Sequence, residues 1–353
     1  MMYPKLTINL QKLVENTNRM KDLCLENNIT NLCVVVKVMS GDLRCIQAIS
    51  SVDIDYLGDS RIENLKRFQE LKPKKALMRL PMPHQAYQVV KYSDMSLNSE
   101  IDTIRKLNIA AQKQNKKHEI ILMFDMGDLR EGIFFQDPYL EIVDEILSMD
   151  NIILKGIGTN LTCYGGVIPS QENLTNLVKI AHSIEHEFDI TLPIISGGNS
   201  SSVFLFGKGL IPHEINNLRI GEAIFLGRET AYGNQIPYMH EDIFTLYAEI
   251  IEIKEKPSYP IGEIGMNSFG EVPQIKDLGM MKRAILAVGK QDVQIDNIVP
   301  IDSNISIVGG SSDHLIIDLK SSNYQLGDVI SFRPNYPGLL QLMTSKYIKK
   351  EHM

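Results

Sequence analysis

Cysteine is scarce in this chain, four among 353 residues, and no two of them stand at CxxC spacing. Without it, Cys24, Cys33, Cys45 and Cys163 read as reduced thiols of a cytosolic protein rather than as a zinc site or a disulfide set. No apolar stretch reaches membrane-spanning length, and Met1-Met2-Tyr3-Pro4-Lys5 leads into no signal-peptide core. A cytoplasmic protein without a membrane partner is expected. Positive charge is also short: 36 lysines and arginines against 43 acidic residues leave a formal net charge of −7. That balance argues against a nucleic-acid partner, and the one basic cluster, at 113–117, reads as a solvated helix end. Low-complexity tracts are missing, which removes disorder as an organising theme.

What the chain does have is alternation. Short apolar runs at 33–36, 51–56, 76–80, 95–97, 120–124, 152–158, 192–195 and 217–220 read as strands, with amphipathic stretches such as 100–114, 139–149 and 171–188 between them. Eight strands alternating with helices predict an α/β fold, a (β/α)8 barrel of the TIM type. Near residue 235 the helical period fades. Strand-like runs at 245–254, 283–288, 305–308, 315–319 and 329–332, separated by turn residues, predict a C-terminal all-β domain. The expected division is 1–235 for the barrel and 236–353 for the β-domain, with the run at 5–10 a candidate to pair with the latter.

Polar or glycine residues close nearly every barrel strand: Lys37, Gly58-Asp59, Arg79, Asn98, Asp125, Asn160, Gly197-Gly198-Asn199 and Arg219. In a barrel they converge on one rim, where such enzymes keep their sites. Lys37 ends the valine-rich run Leu32-Cys33-Val34-Val35-Val36. A rigidly held, partly desolvated amine there can form a Schiff base, although a lysine that simply reaches solvent from a strand end fits the position equally well. Two later segments have phosphate-binding character. Ile195-Ser196-Gly197-Gly198-Asn199-Ser200-Ser201 passes from a strand through glycines into a helix start, and Leu218-Arg219-Ile220-Gly221-Glu222 follows the next strand. Phosphate sites after the seventh and eighth strands recur in barrel enzymes. With the strand-end lysine they suggest a phosphate-bearing carbonyl cofactor, pyridoxal 5'-phosphate.

Val36-Lys37, Asp125-Met126-Gly127-Asp128-Leu129-Arg130-Glu131-Gly132 and Leu218-Arg219-Ile220-Gly221-Glu222 resemble the alanine racemase family of pyridoxal-phosphate enzymes. Cys163-Tyr164-Gly165-Gly166, Gly197-Gly198-Asn199-Ser200-Ser201 and Leu226-Gly227-Arg228-Glu229 are similar to its ornithine racemase branch. The resemblance covers nearly the whole chain in the same order. It implies an amino-acid racemase working by two-base proton transfer at Cα, as a head-to-tail homodimer on ornithine or a related basic amino acid. Alanine or a broader substrate range, a D-amino-acid aldolase or decarboxylase, and a non-catalytic cofactor-binding protein are the rival readings.

The resemblance also implies roles. Lys37 would hold the cofactor and act as base on one face of the substrate. Arg219 would face the pyridine nitrogen, and a guanidinium that keeps its proton leaves that nitrogen unprotonated, which favours reprotonation over transamination. The competing reading of Arg219 is an ion pair with Glu222. Asn199, Ser200, the backbone at Gly221 and Glu222, and Tyr347 would hold the phosphate. Arg130 would meet the phenolic oxygen or the substrate carboxylate, and Asp313 matches a substrate-side position reached from the partner subunit. Departures stand beside these matches. No tyrosine follows Lys37 in Met39-Ser40-Gly41-Asp42, and Asn160 stands where the family stacks a histidine on the ring. In Ser258-Tyr259-Pro260-Ile261-Gly262-Glu263 the opposite-face group is Glu263 or Tyr259, with Glu263 preferred; Cys163 is a less favoured second base that reads by default as a buried structural thiol.

Overall fold

The computed structural model describes residues 3–267 and 269–353. Its chain divides into two compact units, Gln11–Glu241 and, in the other, the residues before Gln11 with Asp242–Met353. Strand β1 (Lys5–Ile8) opens the second of these and helix α1 (Leu10–Glu26) leads into the first. There β2 (Asn31–Val35), β3 (Tyr56–Asp59), β4 (Lys74–Leu77), β5 (Met95–Asn98), β6 (His118–Asp125), β7 (Ile133–Phe134), β8 (Ile152–Gly158), β9 (Ile194–Ser196) and β10 (Asn217–Ile220) follow in order. All pair in parallel in the order β5-β4-β3-β2-β10-β9-β8-β6-β7, and a further β5–β6 pairing closes the ring. The eight-stranded barrel expected from the alternation is present, with the two-residue β7 appended to β6.

Parallel strands covered on both faces need apolar residues at consecutive positions, which is why the runs are visible in the sequence. Cys33 and Val35 of β2 join Tyr56, Ala76, Met95, Leu97, Ile121, Met123 and Ile194 in one buried cluster. Leu32 and Val34, of the opposite parity on β2, are also buried. The helix Gln171–Phe188 buries Leu174, Leu177, Val178, Ala181 and Ile184 at helical spacing, and a reciprocal Ser170–Asn173 cap starts it.

Two strand positions differ from expectation. The second strand begins at Tyr56 instead of Ser51, because helix α2 (Leu43–Ser50) runs on into a turn, with Ser51 and Val52 N–H groups donating to Ala48 and Ile49 carbonyls. The first ends at Val35, so Lys37 is not its last residue: Val36 takes φ −93°, ψ 9°, and Lys37–Met39 form a 3-10 turn. The apolar run extends past the strand because Val36, Val38 and Met39 are buried as well.

The second unit holds β11 (Phe244–Pro257), β12 (Met280–Leu286), β13 (Ile298–Pro300), β14 (Ser306–Gly310), β15 (Leu315–Asp318), β16 (Val329–Pro334) and β17 (Lys349–His352). The order is β13-β16-β11-β12-β15-β14, antiparallel throughout. Strand β1 pairs antiparallel with β11 and parallel with β17. One helix, Tyr336–Thr344, interrupts the expected all-β pattern, started by Asn335, whose side chain accepts from Gly338 N–H.

A bulge on β8 fixes one glycine. Register slips by one residue between Ile120 and Ile121 of β6, and a Cβ at Gly156 would lie 1.8 Å from the Ile194 carbonyl oxygen of β9. Gly156→Ala must therefore part β8 from β9. We expect it to cost about 3 kcal/mol or more of stability in urea titrations, in line with overpacked positions, whereas Gly166→Ala, with nothing near its Cβ, tests the cost of positive φ alone.

Candidate active site

Arg219 lies on β10 directly opposite Cys33 of β2, with 4% of its surface exposed. Burial pulls its pKa down, so hydrogen bonds have to hold the charge. Its guanidinium donates to Ser196 Oγ at the end of β9, to Thr159 O at 2.5 Å and to Asn160 Oδ1 at 2.7 Å just beyond β8. These three acceptors are neutral. Among the described residues no carboxylate pairs with Arg219, so the ion pair with Glu222 weighed from sequence is not formed. A Cβ at Gly158 would come within 3.3 Å of the guanidinium, so the glycine keeps the space beside it open.

Asn160 carries the network outward. Its Nδ2 donates to Glu131 Oε1, and Glu131 in turn binds Arg130 through both carboxylate oxygens, Oε1 accepting from NH2 at 2.6 Å. The expected pair Arg130 and Asn160 is thus joined by a residue to which the sequence assigned no role. Asp128 is a second. With 1% of its surface exposed, it accepts from the N–H groups of Cys163, Tyr164 and Val167 and ties down that loop. Asp125 likewise accepts from Gly127 and Leu129 N–H. Glu131 and Asp128 both sit inside the quoted motif, but a charge beside an arginine or a turn aspartate looks like surface until its partners are known. Cys163 is exposed, not buried, and its sulfur accepts from Asn199 Nδ2 at 3.3 Å. Its loop passes over the rim, which leaves no core for the thiol to fill.

The two phosphate-type turns meet each other. Asn199 caps the 3-10 helix Ser200–Leu205, its Oδ1 accepting from Ser201 N–H at 2.8 Å. Ser200 Oγ accepts from Gly221 N–H at 3.3 Å and Ala223 N–H at 3.2 Å, which commits its lone pairs and leaves its own O–H to donate. Gly221 is required, since a Cβ there would meet Val35 O at 2.7 Å.

Lys37 is exposed, and its Nζ has no hydrogen bond or ion pair among the described residues. Two carboxylates feel its charge. Asp59, fully buried at the end of β3, accepts from Arg61 N–H and Asn64 Nδ2, yet burial pushes its pKa up to about 6. The Glu222 carboxylate has no hydrogen-bond partner among the described residues, and burial raises it to about 7. Glu263, Tyr347 and Asp313 belong to the other unit. Glu263 is exposed on the irregular excursion between β11 and β12, as is Tyr259. Tyr347 stands just before β17 with 75% of its surface exposed. Asp313 pairs with His314 and accepts from the hydroxyls of Ser311 and Ser312.

A parallel eight-stranded barrel with a buried guanidinium and, among the described residues, an unpaired amine at its strand ends, in a chain that also carries an antiparallel β-sheet unit, defines a class of protein before any comparison is made. The alanine racemase N-terminal domain family matches residues 8–229, and the chain belongs to that family. It is 51% identical to an ornithine racemase of Acetoanaerobium sticklandii over 352 residues, covering 99% of both chains. It is 36% identical to a lysine racemase of Thermotoga maritima, covering 99% of this chain and 98% of that one. An alanine racemase of Bartonella henselae with covalently bound pyridoxal phosphate shares the fold over the full length of both chains, at a TM-score of 0.75 and 17% identity.

Glu222 makes stability depend on pH with a definite sign. Its folded pKa stands above its ordinary 4.5, so between 4.5 and about 7 the folded state binds more protons than the unfolded state and stability falls as pH rises. Urea unfolding across that window should show a shallower decline for Glu222→Gln than for the wild type. Equal slopes would place the titration elsewhere.

Proposed function

We propose that this protein is a pyridoxal-phosphate-dependent racemase of ornithine or a related basic amino acid, a cytoplasmic enzyme acting as a head-to-tail homodimer. The observation that carries the substrate is the 51% identity to an ornithine racemase, which runs through both units. The one that carries the cofactor is the presence on the same barrel of a Lys37 amine without a partner and an Arg219 guanidinium held by neutral acceptors alone, both among the described residues.

The residues present fit that cofactor. Gly158 leaves room at the guanidinium edge, the Thr159 hydroxyl is buried without a partner, and Ser200 keeps a free O–H where the two turns meet. Lys37 would hold the carbonyl carbon and Arg219 the ring nitrogen. Asn199, Ser200, the Gly221 and Glu222 backbone and Tyr347 would hold the phosphate, and Asn160 and Arg130 the remaining ring edge. When bound, pyridoxal phosphate supplies the electron-withdrawing system that acidifies the amino acid's α-proton.

The chain's own groups then do the proton work. Lys37 takes or returns the proton on one face of Cα, and Glu263 does so on the opposite face, with Tyr259 the alternative. Inversion follows because a proton removed by one group is replaced by the other. Arg130 receives the substrate carboxylate, and Asp313 of the partner subunit attracts the distal ammonium. Arg219 stays protonated throughout, since a guanidinium is far more basic than the ring nitrogen it would face.

Incubation of the purified protein with L- and D-ornithine in deuterated water should place deuterium at Cα in both, without release of carbon dioxide or aldehyde. Lys37→Ala should abolish both the exchange and the visible absorption of the bound cofactor; a persisting band would sink the lysine assignment. Glu263→Gln should lower racemisation by about 100-fold or more, the scale of a lost acid/base group, while Tyr259→Phe changes it little. The reverse result would transfer the role to Tyr259.

A further inference from the structure

Glu131 occupies an unusual place at the barrel rim. Its side chain is 15% exposed and lies between two groups already assigned to the site. Both carboxylate oxygens bind Arg130, whose side chain is 40% exposed. Oε1 also accepts from Asn160 Nδ2, while Asn160 Oδ1 accepts from Arg219 NH2 at 2.7 Å. Four side chains therefore form one hydrogen-bonded row, Arg130–Glu131–Asn160–Arg219.

The row has a direction. A carboxylate only accepts, so Glu131 demands the NH2 end of the Asn160 amide, and the amide oxygen must then point at Arg219. Without Glu131 that orientation loses its outer anchor. Meanwhile Arg130 loses a two-point, charge-assisted clamp, the strongest kind of side-chain hydrogen bonding available to it. The negative charge of Glu131 also reaches the buried Arg219 and favours its charged form, where no carboxylate makes direct contact.

We propose that Glu131 is a positioning residue for the reaction: it fixes Arg130 to receive the substrate carboxylate and locks Asn160 so that Arg219 is held at the cofactor ring. This rests on the racemase reading above. It goes beyond it in giving one carboxylate two separable tasks, holding a guanidinium by charge and orienting an amide by acceptance. Glu131→Gln keeps an oxygen for Asn160 but gives up the charge. Glu131→Ala removes both.

Both variants and the wild type are loaded with pyridoxal phosphate. The visible band of the cofactor, its dissociation constant, and KM and kcat for L- and D-ornithine are then measured. Glu131→Gln should raise KM about tenfold, the scale of a lost charge-assisted pair, with kcat and the band position little changed. Glu131→Ala should raise KM at least as far and also shift the band. Adding Asn160→Ala to Glu131→Ala should shift the band no further, since members of one network are not additive. A folded, cofactor-bearing Glu131→Ala with KM within about twofold of wild type, below the scale of any such pair, and an unmoved band would overturn the proposal and leave Glu131 a solvated loop charge. If Glu131→Ala fails to fold, the isosteric Glu131→Gln decides through KM. Failure of the racemase reading is a separate event, visible in the wild type alone as no cofactor band and no exchange at Cα. The Glu131–Asn160 coupling is then read from thermal unfolding of the cofactor-free single and double variants, where strict additivity overturns it.

Discussion

A buried guanidinium is the constraint on which this barrel rim is built. Moving a charge out of water costs on the order of several kcal/mol even after local relaxation, and Arg219 meets that cost without an ion pair. Three oxygens from the ends of β8 and β9 do the work, so those strands must finish at matching heights with β10. Gly158 is tied to the same need, because a side chain there would press against both Ser196 and the guanidinium. Neutral acceptors also leave the positive charge unspent. A carboxylate in their place would have stabilised Arg219 more simply and cancelled the field that it projects into the rim.

Charge around the rim is graded accordingly. Arg219 is deep and permanent, Lys37 is shallow and free, and the carboxylates that feel Lys37 most, Asp59 and Glu222, are the ones whose ionisation burial delays. The net charge around this amine therefore changes as Asp59 and Glu222 ionise. Glu131 stands apart from these two, committed to Arg130 and Asn160.

The barrel was legible because strands covered on both faces must be continuous apolar runs, and eight of them were spaced by amphipathic segments. Where the reading slipped, buried residues outside a strand were the cause: Val36, Val38 and Met39 prolong the β2 run through a 3-10 turn, and Val52 and Ile54 imitate a strand in what is a helix-to-strand connection. Arg219 could be picked out as an arginine inside an apolar strand followed by glycine. Glu131, Ser196 and Thr159 could not, because their importance lies in partners 23 to 60 residues away in sequence. Cys163 was misjudged for the complementary reason. A thiol is usually core, but Asp128 draws this loop over the surface by three backbone hydrogen bonds.

Strand β1 has a consequence for how the chain comes to be folded. It lies between β11 and β17, and its Lys5 forms an ion pair with Glu351, 346 residues distant. In chain order the barrel is thus an insertion within the β-sheet unit. During synthesis every barrel strand is available once β10 has emerged, whereas β1 must wait for β11 to fill one edge and for β17, about a hundred residues later still, to fill the other. Closing so long a loop costs less entropy, and is faster, when the intervening chain is already compact. The first strand of the sheet is thus completed only by the last residues of the chain.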